Sequence, residues 1–334
     1  MNDRSDRPDY SIVVPVYNEE DSLGELTRRL TELLGRLDGP GEVILVDDGS
    51  SDGSYVQMLA ARDADPRFKL LRLSRNFGHQ IAITAGMDAA AGDAVVIMDA
   101  DLQDPPEVVL EMAARWRDGF EVVYAVREER SGESRFKKLT AAGFYRLFRK
   151  VADINVPIDV GDFRLVDRRA LEAFISMRES NRYVRGMFGW IGFRQTGVHY
   201  PRAERYAGET KYPLTKMLKF ATDGIVSFSS APLRFALKLG FLVSVLSFVL
   251  GASFLFSKLI GLYSVPGLAS VAVYVSFLGG IQLLILGVIG EYIARIHDEV
   301  KGRPLYLVSE AHGLPDLTSQ WPVAFPLARR RSPV

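Results

Sequence analysis

Three side chains that could hold a divalent cation follow a short apolar run. Asp99, Asp101 and Gln103 lie in VVIMDADLQDPPE, residues 95–107, directly after the apolar residues 95–98. The run predicts a buried strand, and ligands of open α/β sheets bind at the carboxyl ends of the strands. Two carboxylates at i and i+2, with an amide carbonyl nearby, suit a hard cation that also takes diphosphate oxygens. An acidic turn without any ligand is equally consistent with Asp-Ala-Asp alone.

A second acidic cluster follows another predicted strand. GEVILV, residues 41–46, is followed by Asp47, Asp48 and then GSSD. Carboxylates suit hydrogen bonding to base and ribose donors, whereas a phosphate cradle is rich in glycine and backbone N–H groups. The alternative is a solvated turn with a helix N-cap at Ser50 or Ser51. The patterns GxGxxG and GxxxxGK[ST] are both absent, so dinucleotide-binding and P-loop interpretations lose their main support.

The elements that must position these clusters alternate between strand and helix. Hydrophobic periodicity predicts strands over Tyr10–Val16 and Lys69–Leu73, and helices over Ser22–Leu37 and Gln80–Ala90. Strand, helix and strand of these lengths indicate parallel βαβ units and an α/β fold. His79, just before the last helix, is interpreted as a loop or cap residue, because no His or Glu partner stands at metal-binding spacing.

Composition excludes several classes of protein. The 334 residues are 48% hydrophobic, enough for a substantial core and about two structural units. Lys plus Arg and Asp plus Glu both total 41, and this balance argues against a nucleic-acid partner. The absence of cysteine excludes disulfides and thiolate metal sites. The polar start MNDRSDRPDY shows no secretory signal, so the first two-thirds are expected to stay in the cytoplasm.

Four motifs occur in a specific order along the chain: VPVYNEE, VDDGSSDGS, LSRNFGHQIAITAGMDAAAGD and MDADLQDPPE. In this order they resemble the inverting family 2 glycosyltransferases, which have a GT-A fold. They are most similar to the polyprenyl-phosphate branch, which includes dolichyl-phosphate mannose synthases and bactoprenol glucosyltransferases. The resemblance runs from about Ser11 to about Tyr306. It implies a Rossmann-like GT-A nucleotide-sugar domain, followed by interfacial helices and two transmembrane helices.

The resemblance also implies roles for individual residues at a nucleotide-sugar site. Asp99, Asp101 and Gln103 would hold Mg²⁺ or Mn²⁺, and Asp101 would also count as catalytic. A cation bridging the diphosphate oxygens neutralises the charge that develops as the sugar leaves. The residues implied at the nucleotide are Pro15, Tyr17, Glu19, Asp47, Asp48 and Ala100.

By the same resemblance, Arg127 would bind an acceptor phosphate, joined by Arg205 and Lys211. Arginine binds planar oxygens bidentately. Residues 135–150 predict an amphipathic helix with a cationic face, which could equally be a solvated surface.

Two glycine-containing segments follow further along the chain. YVRGMFGW, residues 183–190, and RAERYAGETKY, residues 202–212, interleave glycine with Arg and Lys. This composition suggests a mobile flap that closes over phosphates, the alternative being an ordinary surface loop.

Asp162, in DVGDFRLVD, residues 159–167, matches the candidate base of the family. The residue types alone would also allow a helix cap or a pair with Arg164. A phosphate monoester has a second pKa of about 6, so the attacking oxygen needs little deprotonation near neutral pH. Asp162 is therefore expected either to accept a proton or to orient the acceptor or a sugar hydroxyl.

The C-terminal third carries two apolar stretches, Leu239–Ser257 and Leu268–Gly290, each long enough to cross a membrane. Apolar residues at helical spacing over 214–225 predict a helix in the membrane interface. Basic residues flank the outer ends of the two stretches, and only Lys258 lies near their connection, so both ends are expected in the cytoplasm. Small residues in both stretches permit close packing within one chain or in a homo-oligomer.

The predicted organisation has four parts. They are a cytoplasmic GT-A catalytic domain (1–212), an interfacial amphipathic region (213–233), a two-helix transmembrane hairpin (234–294) and a cytoplasmic tail (295–334), the last expected to be flexible after Lys301.

The predicted function is metal-dependent inverting transfer of a hexose to polyprenyl phosphate by a multi-pass inner-membrane protein. UDP-glucose is the preferred donor and undecaprenyl phosphate the preferred acceptor, with GDP-mannose or another nucleotide sugar as alternatives. A processive polysaccharide synthase would carry Gln-x-x-Arg-Trp and more spans, and the chain has neither. A catalytically inactive membrane adaptor is the alternative of a different class, and the joint presence of Asp99, Asp101, Gln103 and Asp162 argues against it.

Overall fold

The computed structural model describes residues 7–127, 160–201, 231–260 and 268–314. The chain divides into two compact units, one built on a β-sheet and one containing two long apolar helices. Several predicted features lie outside the described residues: the basic helix 135–150, the segment 202–212 with Arg205 and Lys211, the interfacial segment 214–225, the connection between the two apolar stretches and the tail after residue 314.

In the described residues, eight strands form one mixed sheet in the order β7-β5-β6-β4-β1-β2-β3-β8. Strands β4, β1, β2 and β3 are parallel neighbours, as predicted, and β5 pairs in parallel with β7. Strand β6 is antiparallel to both β4 and β5, so it brings a reversed strand into the middle of the sheet. The strands are β1 Tyr10–Val16, β2 Gly41–Asp47, β3 Phe68–Leu73, β4 Ala94–Ile97, β5 Val122–Arg127, β6 Val160–Asp167, β7 Gln195–Tyr200 and β8 Val308–His312.

Helices connect the strands and bury the sheet. Strands β1 and β4 are buried along their whole length, as expected for parallel strands covered on both faces. The helices of this unit are α1 Glu20–Leu34, α2 Ser54–Ala64, α3 His79–Ala89, α4 Val108–Arg117, α5 Arg168–Ser176 and α6 Val184–Trp190. Helix α2 begins at Ser54 after Gly53, so the alternative of a helix cap at Ser50 or Ser51 is wrong.

Helix α3 packs very closely on the sheet. A Cβ on Gly86 would overlap Cγ1 of Val13 in β1 and lie 3.0 Å from Cγ2 of Val46 in β2. Glycine therefore allows the helix axis to approach the strands more closely than a residue with a side chain would. This close packing fixes the first residues of α3, His79 and Gln80, relative to the ends of the strands.

Helix α6 occupies the segment that the sequence suggested as part of a mobile flap, and for these residues that interpretation is wrong. Val184, Met187 and Phe188 are buried, and Phe188 stacks on Phe174 of α5 with ring centroids 4.4 Å apart. Their i, i+3, i+4 spacing is the helical signal that the glycines obscured. Residues 202–212, the other part of the suggested flap, lie outside the described residues.

Strand β8 corrects the expectation of a flexible tail. It pairs antiparallel with β3, whose outer edge would otherwise expose unpaired backbone groups. Side chains hold the segment as well: Tyr306 is buried and donates to Asp88 Oδ2 at 2.8 Å, and Tyr55 donates to Glu310 at 2.7 Å. Residues 304–314 therefore belong to the unit that contains the sheet.

The second unit contains α7, Ala231–Leu259, and α8, Leu268–Val300. Each includes a stretch long and apolar enough to cross a membrane, Ala231–Ser253 and Phe277–Val300, judged by length and composition. The helices extend beyond both predicted spans. The last turns of α8 are polar, and Arg295 pairs with Glu291 at 3.2 Å.

Candidate active site

The candidate site lies where β4 and β6 meet the start of α3. Asp99 follows β4, and its Oδ1 lies 3.3 Å from Nε2 of His79, the first residue of α3. The same nitrogen lies 3.5 Å from Oδ2 of Asp162 in β6. Gly78, with φ of 99°, turns the chain into α3 through a conformation that few other residues adopt. His79 thus contacts two of the predicted site carboxylates, which its interpretation as a plain loop or cap residue did not foresee.

Asp162 is buried and both of its carboxylate oxygens are engaged. Arg185 of α6 donates from Nε to Oδ1 at 3.0 Å and from Nη2 to Oδ2 at 3.1 Å, a side-on pair. Gln80 donates to Oδ2 at 3.2 Å. Burial alone would raise the pKa of Asp162, but the hydrogen bond from His79 and the charges of Arg185 and Arg164 hold it well below its usual range. The carboxylate is ionised and serves as an organising centre for these donors.

Gln80 and Arg164 secure the surroundings of Asp162. Gln80 Oε1 accepts the N–H of Val184 at 3.0 Å, which ties α3 to α6. The buried guanidinium of Arg164 donates to the carbonyl oxygens of Gly161 and Asp162 at 2.9 and 3.2 Å. Burial lowers the pKa of Arg164 to about 10, which still leaves it charged near neutral pH. Hydrogen bonds that involve α3, α6 and the backbone of β6 therefore hold the surroundings of Asp162 in place.

The carboxylates around Asp99 fit a divalent cation. Burial raises the pKa of Asp99 to about 6; His79 opposes this increase, whereas the charges of Asp162, Asp104 and Asp101 add to it. Its Oδ1 is buried and accepts no hydrogen bond from the described residues. Among the described residues no three His, Asp or Glu side chains are placed to share one ion. A cation here would therefore take one or two protein carboxylates and complete its shell with substrate oxygens or water.

The turn that carries Asp101 is tight. Asp101 Oδ1 accepts the N–H of Gln103 at 3.1 Å, and Leu102 between them has a left-handed φ of 56°. A non-glycine residue in this region is strained, and such strain persists where the surrounding structure enforces it. The buried Leu102 side chain anchors the turn that carries Asp101 and Gln103.

Sequence comparisons place the chain among known enzymes. Glycosyl transferase family 2 matches residues 11–175. The chain is 52% identical to the uncharacterized glycosyltransferase YkcC of Bacillus subtilis, over 91% of this chain and 94% of that protein. The chain belongs to glycosyltransferase family 2. It is also 48% identical to an uncharacterized glycosyltransferase of Synechocystis, over 91% of this chain and 96% of that protein. It is 39% identical to the SfII prophage-derived bactoprenol glucosyl transferase of Shigella flexneri, over 90% of this chain and 98% of that protein.

Family membership confirms two of the predictions. The protein is a glycosyltransferase, and its mixed sheet is the Rossmann-like GT-A sheet expected of family 2.

In this family 2 glycosyltransferase, the predicted nucleotide residues Asp47 and Asp48 connect loops within the protein. Asp47 is fully buried; its Oδ1 accepts the N–H of Ser50 at 2.8 Å and its Oδ2 lies 3.1 Å from Nε of Arg72. Asp48 accepts the N–H groups of Phe77 and Gly78 at 2.7 and 2.9 Å. Burial raises the pKa of Asp48, although these N–H groups oppose the increase. Both aspartates therefore shape the edge of the sheet through contacts within the protein.

The other predicted nucleotide residues of the glycosyltransferase lie at the same edge. Pro15 is buried near the end of β1, and Ala100 is buried in the loop after β4. The side chain of Tyr17 is 49% exposed, which leaves its ring accessible to a ligand. Glu19 accepts the hydroxyl of Ser22 at 3.1 Å at the start of α1.

Arg127, the predicted acceptor-phosphate residue, lies at the end of β5 with two partners that the sequence did not suggest. Its Nη2 is 3.5 Å from Oδ2 of the buried Asp104, and its Nε is 3.3 Å from the hydroxyl of Tyr200 in β7. Tyr200 also donates to Asp104 Oδ1. The other two predicted phosphate residues, Arg205 and Lys211, lie outside the described residues.

Sequence reasoning missed several residues of the candidate site. Arg185 and Gln80 carried no motif signal for a pair with Asp162, since they lie 23 and 82 residues away in sequence. His79 lies in the third motif, but no His or Glu at metal-binding spacing marks it as a site residue. Asp104 stands in the same DLQD segment as Asp101, and this adjacency was the one signal that could have identified it.

Proposed function

We propose that this glycosyltransferase transfers a hexose from a nucleotide diphosphate sugar to a polyprenyl phosphate, with inversion at the anomeric carbon. Glucose from UDP-glucose is the preferred donor sugar and undecaprenyl phosphate the preferred acceptor. The observation that carries the proposal is the cluster of Asp99, His79, Asp162 and Arg185 at the carboxyl edge of the sheet. The 39% identity to a protein named bactoprenol glucosyl transferase supports the choice of sugar and acceptor.

In the proposed reaction an oxygen of the lipid phosphate attacks the anomeric carbon from the side opposite the leaving diphosphate. The phosphate monoester is largely dianionic near neutral pH because its second pKa is about 6. The residue at the expected position of the base, Asp162, has both oxygens engaged by donors. We assign Asp162 the role of orienting Arg185 and Gln80 toward the reactants rather than removing a proton.

The cofactor in this proposal is Mg²⁺ or Mn²⁺. Asp99 and Asp101, with Gln103, are the residues that would hold it; its chemistry there is to neutralise the negative charge of the diphosphate. The burial of Asp99 near three other carboxylates, Asp101, Asp104 and Asp162, supports this assignment, because a cation would offset the repulsion between them.

The proposed location is the inner membrane, with the catalytic domain in the cytoplasm. Helices α7 and α8 are long and apolar enough to span it. Arg234 and Lys238 lie near the start of α7, and Lys301 and Arg303 follow α8, so positive charge concentrates at the outer ends of the pair. Sugar nucleotides in the cytoplasm and a lipid phosphate in the inner leaflet would then both reach the site.

The test is transfer by detergent-purified protein to undecaprenyl phosphate. Radiolabelled UDP-glucose and GDP-mannose are supplied separately, each with Mg²⁺ and with EDTA. We expect label in the lipid phase from UDP-glucose with Mg²⁺ and none with EDTA. Label from GDP-mannose alone would change the donor, and label that persists in EDTA would exclude the metal-dependent mechanism. Absence of label with a full panel of nucleotide sugars would favour the inactive adaptor.

A further inference from the structure

Asp104 joins the loop of the predicted metal ligands to the predicted acceptor arginine. It lies three residues beyond Asp101 and is 1% exposed. Its Oδ1 accepts the hydroxyl of Tyr200, and its Oδ2 lies 3.5 Å from Nη2 of Arg127. Arg127 Nε also donates to the Tyr200 hydroxyl oxygen at 3.3 Å. The three side chains form a closed triangle in which each contacts the other two.

The backbone of β6 completes the surroundings of Arg127. A Cβ on Gly161 would lie 2.8 Å from Arg127 Nη2. The guanidinium therefore packs directly on the strand, one residue before Asp162, and a side chain at position 161 would displace it. The side chain of Arg127 remains 27% exposed, so part of it can still meet a ligand.

The register of the sheet explains how these residues meet. Strands β5 and β7 are parallel, and Arg127 is paired with Tyr200 at their last residues. Both side chains thus leave the sheet at its carboxyl edge, where the loop after β4 supplies Asp104. Residues from three separate segments hold one arginine beside the predicted metal ligands.

We propose that Asp104 and Tyr200 are positioning residues that hold the Arg127 guanidinium in place for the acceptor phosphate. The inference rests on the proposed function and on the sequence-based prediction that Arg127 binds the acceptor phosphate. An arginine side chain loses rotamer freedom when it binds a ligand, and fixing it beforehand reduces this loss. Because Asp104 shares a loop with Asp99 and Asp101, the acceptor site is built partly from the donor loop.

The chain contains a matched control for this triangle. Asp88, at the other end of α3, accepts the hydroxyl of Tyr306 at 2.8 Å and pairs with Arg178 at 2.7 Å. This is a second Asp with a Tyr and an Arg partner in the same unit, away from the predicted metal ligands, and its side chain is 9% exposed. Substitutions of Asp88 and Tyr306 therefore report the general effect of losing an Asp-Tyr hydrogen bond in this unit.

The experiment compares Asp104→Asn and Tyr200→Phe with Asp88→Asn and Tyr306→Phe in full-length protein. For Asp104→Asn we expect the KM for undecaprenyl phosphate to rise about tenfold, with kcat and the Kd of UDP in Mn²⁺ changed less than twofold. For Tyr200→Phe we expect the same KM to rise about threefold. Both control variants should keep the wild-type KM. An equal rise in KM for the controls, or a weakened UDP affinity in Asp104→Asn, would overturn the proposal.

A double-mutant cycle decides whether Asp104 acts through Arg127. If it does, the double variant should have the same KM for undecaprenyl phosphate as Arg127→Ala alone. If the two substitutions act independently, their fold-changes in KM would multiply in the double variant, and this result would contradict the proposal. Gly161→Ala provides a second test of whether the position of Arg127 matters. The added methyl displaces the Arg127 guanidinium and leaves Asp104 and Tyr200 unchanged. It should raise the same KM if Asp104→Asn fails to fold.

Failure of the proposed function is distinguishable from failure of this inference. If the wild-type protein transfers no sugar to the lipid, the proposed function is wrong, and this is known before any variant is compared. Given wild-type transfer, an unchanged KM in Arg127→Ala overturns the inference alone.

Discussion

At the scale of single residues, Asp162 decides how the site is organised. Four side chains, His79, Gln80, Arg164 and Arg185, approach its two oxygens within 4.0 Å. A carboxylate in such surroundings stays ionised and fixes the direction of each donor. The attacking lipid phosphate needs little deprotonation, so holding the donors is the more useful contribution.

The depressed pKa of Asp162 predicts acid sensitivity of the fold. The pKa of Asp162 in the folded protein lies below 3.8, the ordinary value that applies to the unfolded chain. The unfolded state therefore binds more protons as the pH falls below about 4, and stability present at higher pH is lost there. We expect the melting temperature to fall between pH 5 and pH 3, and to fall less steeply in Asp162→Asn. Equal slopes in the two proteins would show that Asp162 does not contribute.

A second prediction concerns Asp101. Asp101→Asn should abolish transfer even in excess Mg²⁺, because a neutral amide is a much weaker ligand for a hard cation than a carboxylate. Radiolabel in the lipid phase provides the measurement. Asp63→Asn, at a carboxylate that is 70% exposed on α2, serves as the surface control and should retain full activity. Near-wild-type turnover of Asp101→Asn would remove this residue from the metal site.

At the scale of elements, close packing of α3 connects the core to the site. Gly86 lies on the face of α3 that meets β1 and β2, and His79 and Gln80 stand at its first turn. A helix pushed away from the sheet would move both of these residues away from Asp162. The packing of one helix thus affects the geometry of the carboxylate cluster.

Gly86→Ala tests this connection. The added methyl would overlap Val13, and overpacking of this kind costs about 1–3 kcal/mol. We expect a lower melting temperature together with a lower kcat. Gly24→Ala is the matched control, since Gly24 is also inside a helix but has no atom within 4 Å of its added Cβ. That variant should be neutral or more stable by about 0.5–1 kcal/mol. A stable, active Gly86→Ala would show that α3 can shift without harm.

At the scale of the whole molecule, the chain returns to its sheet after two long apolar helices. Strand β8 pairs with β3, and Tyr306 just before it is buried. Because β8 belongs to the same sheet as β3, both strands must lie on one side of any membrane that the chain spans. The chain would then cross that membrane an even number of times before β8.

The absence of cysteine allows a direct test of the proposed topology. Ser264→Cys, between the two apolar helices, should react with a membrane-impermeant maleimide in intact spheroplasts. Asp63→Cys, exposed on α2, should react only after the membrane is broken. Labelling of both in intact spheroplasts, or of Asp63→Cys alone, would overturn a cytoplasmic catalytic domain.

The sequence by itself determined the parallel βαβ units and the acidic loops after β2 and β4. It could do so because periodicity and turn composition are local properties, and because the carboxyl ends of parallel strands meet at one edge. Asp99 and Asp101 were named for this reason and from the order of the four motifs, whereas Asp162 was named from the family resemblance alone. The two apolar stretches were readable from length and composition alone.

Only the tertiary structure decided which side chains meet at that edge. The antiparallel insertion of β6 between β4 and β5 brings Asp162 beside His79 and Gln80, and α6 adds Arg185. Strand β8 was missed because five residues with alternating exposure carry too weak a pattern without the β3 edge they complete. Contacts between residues distant in sequence depend on strand order and register, which no local pattern of residues specifies.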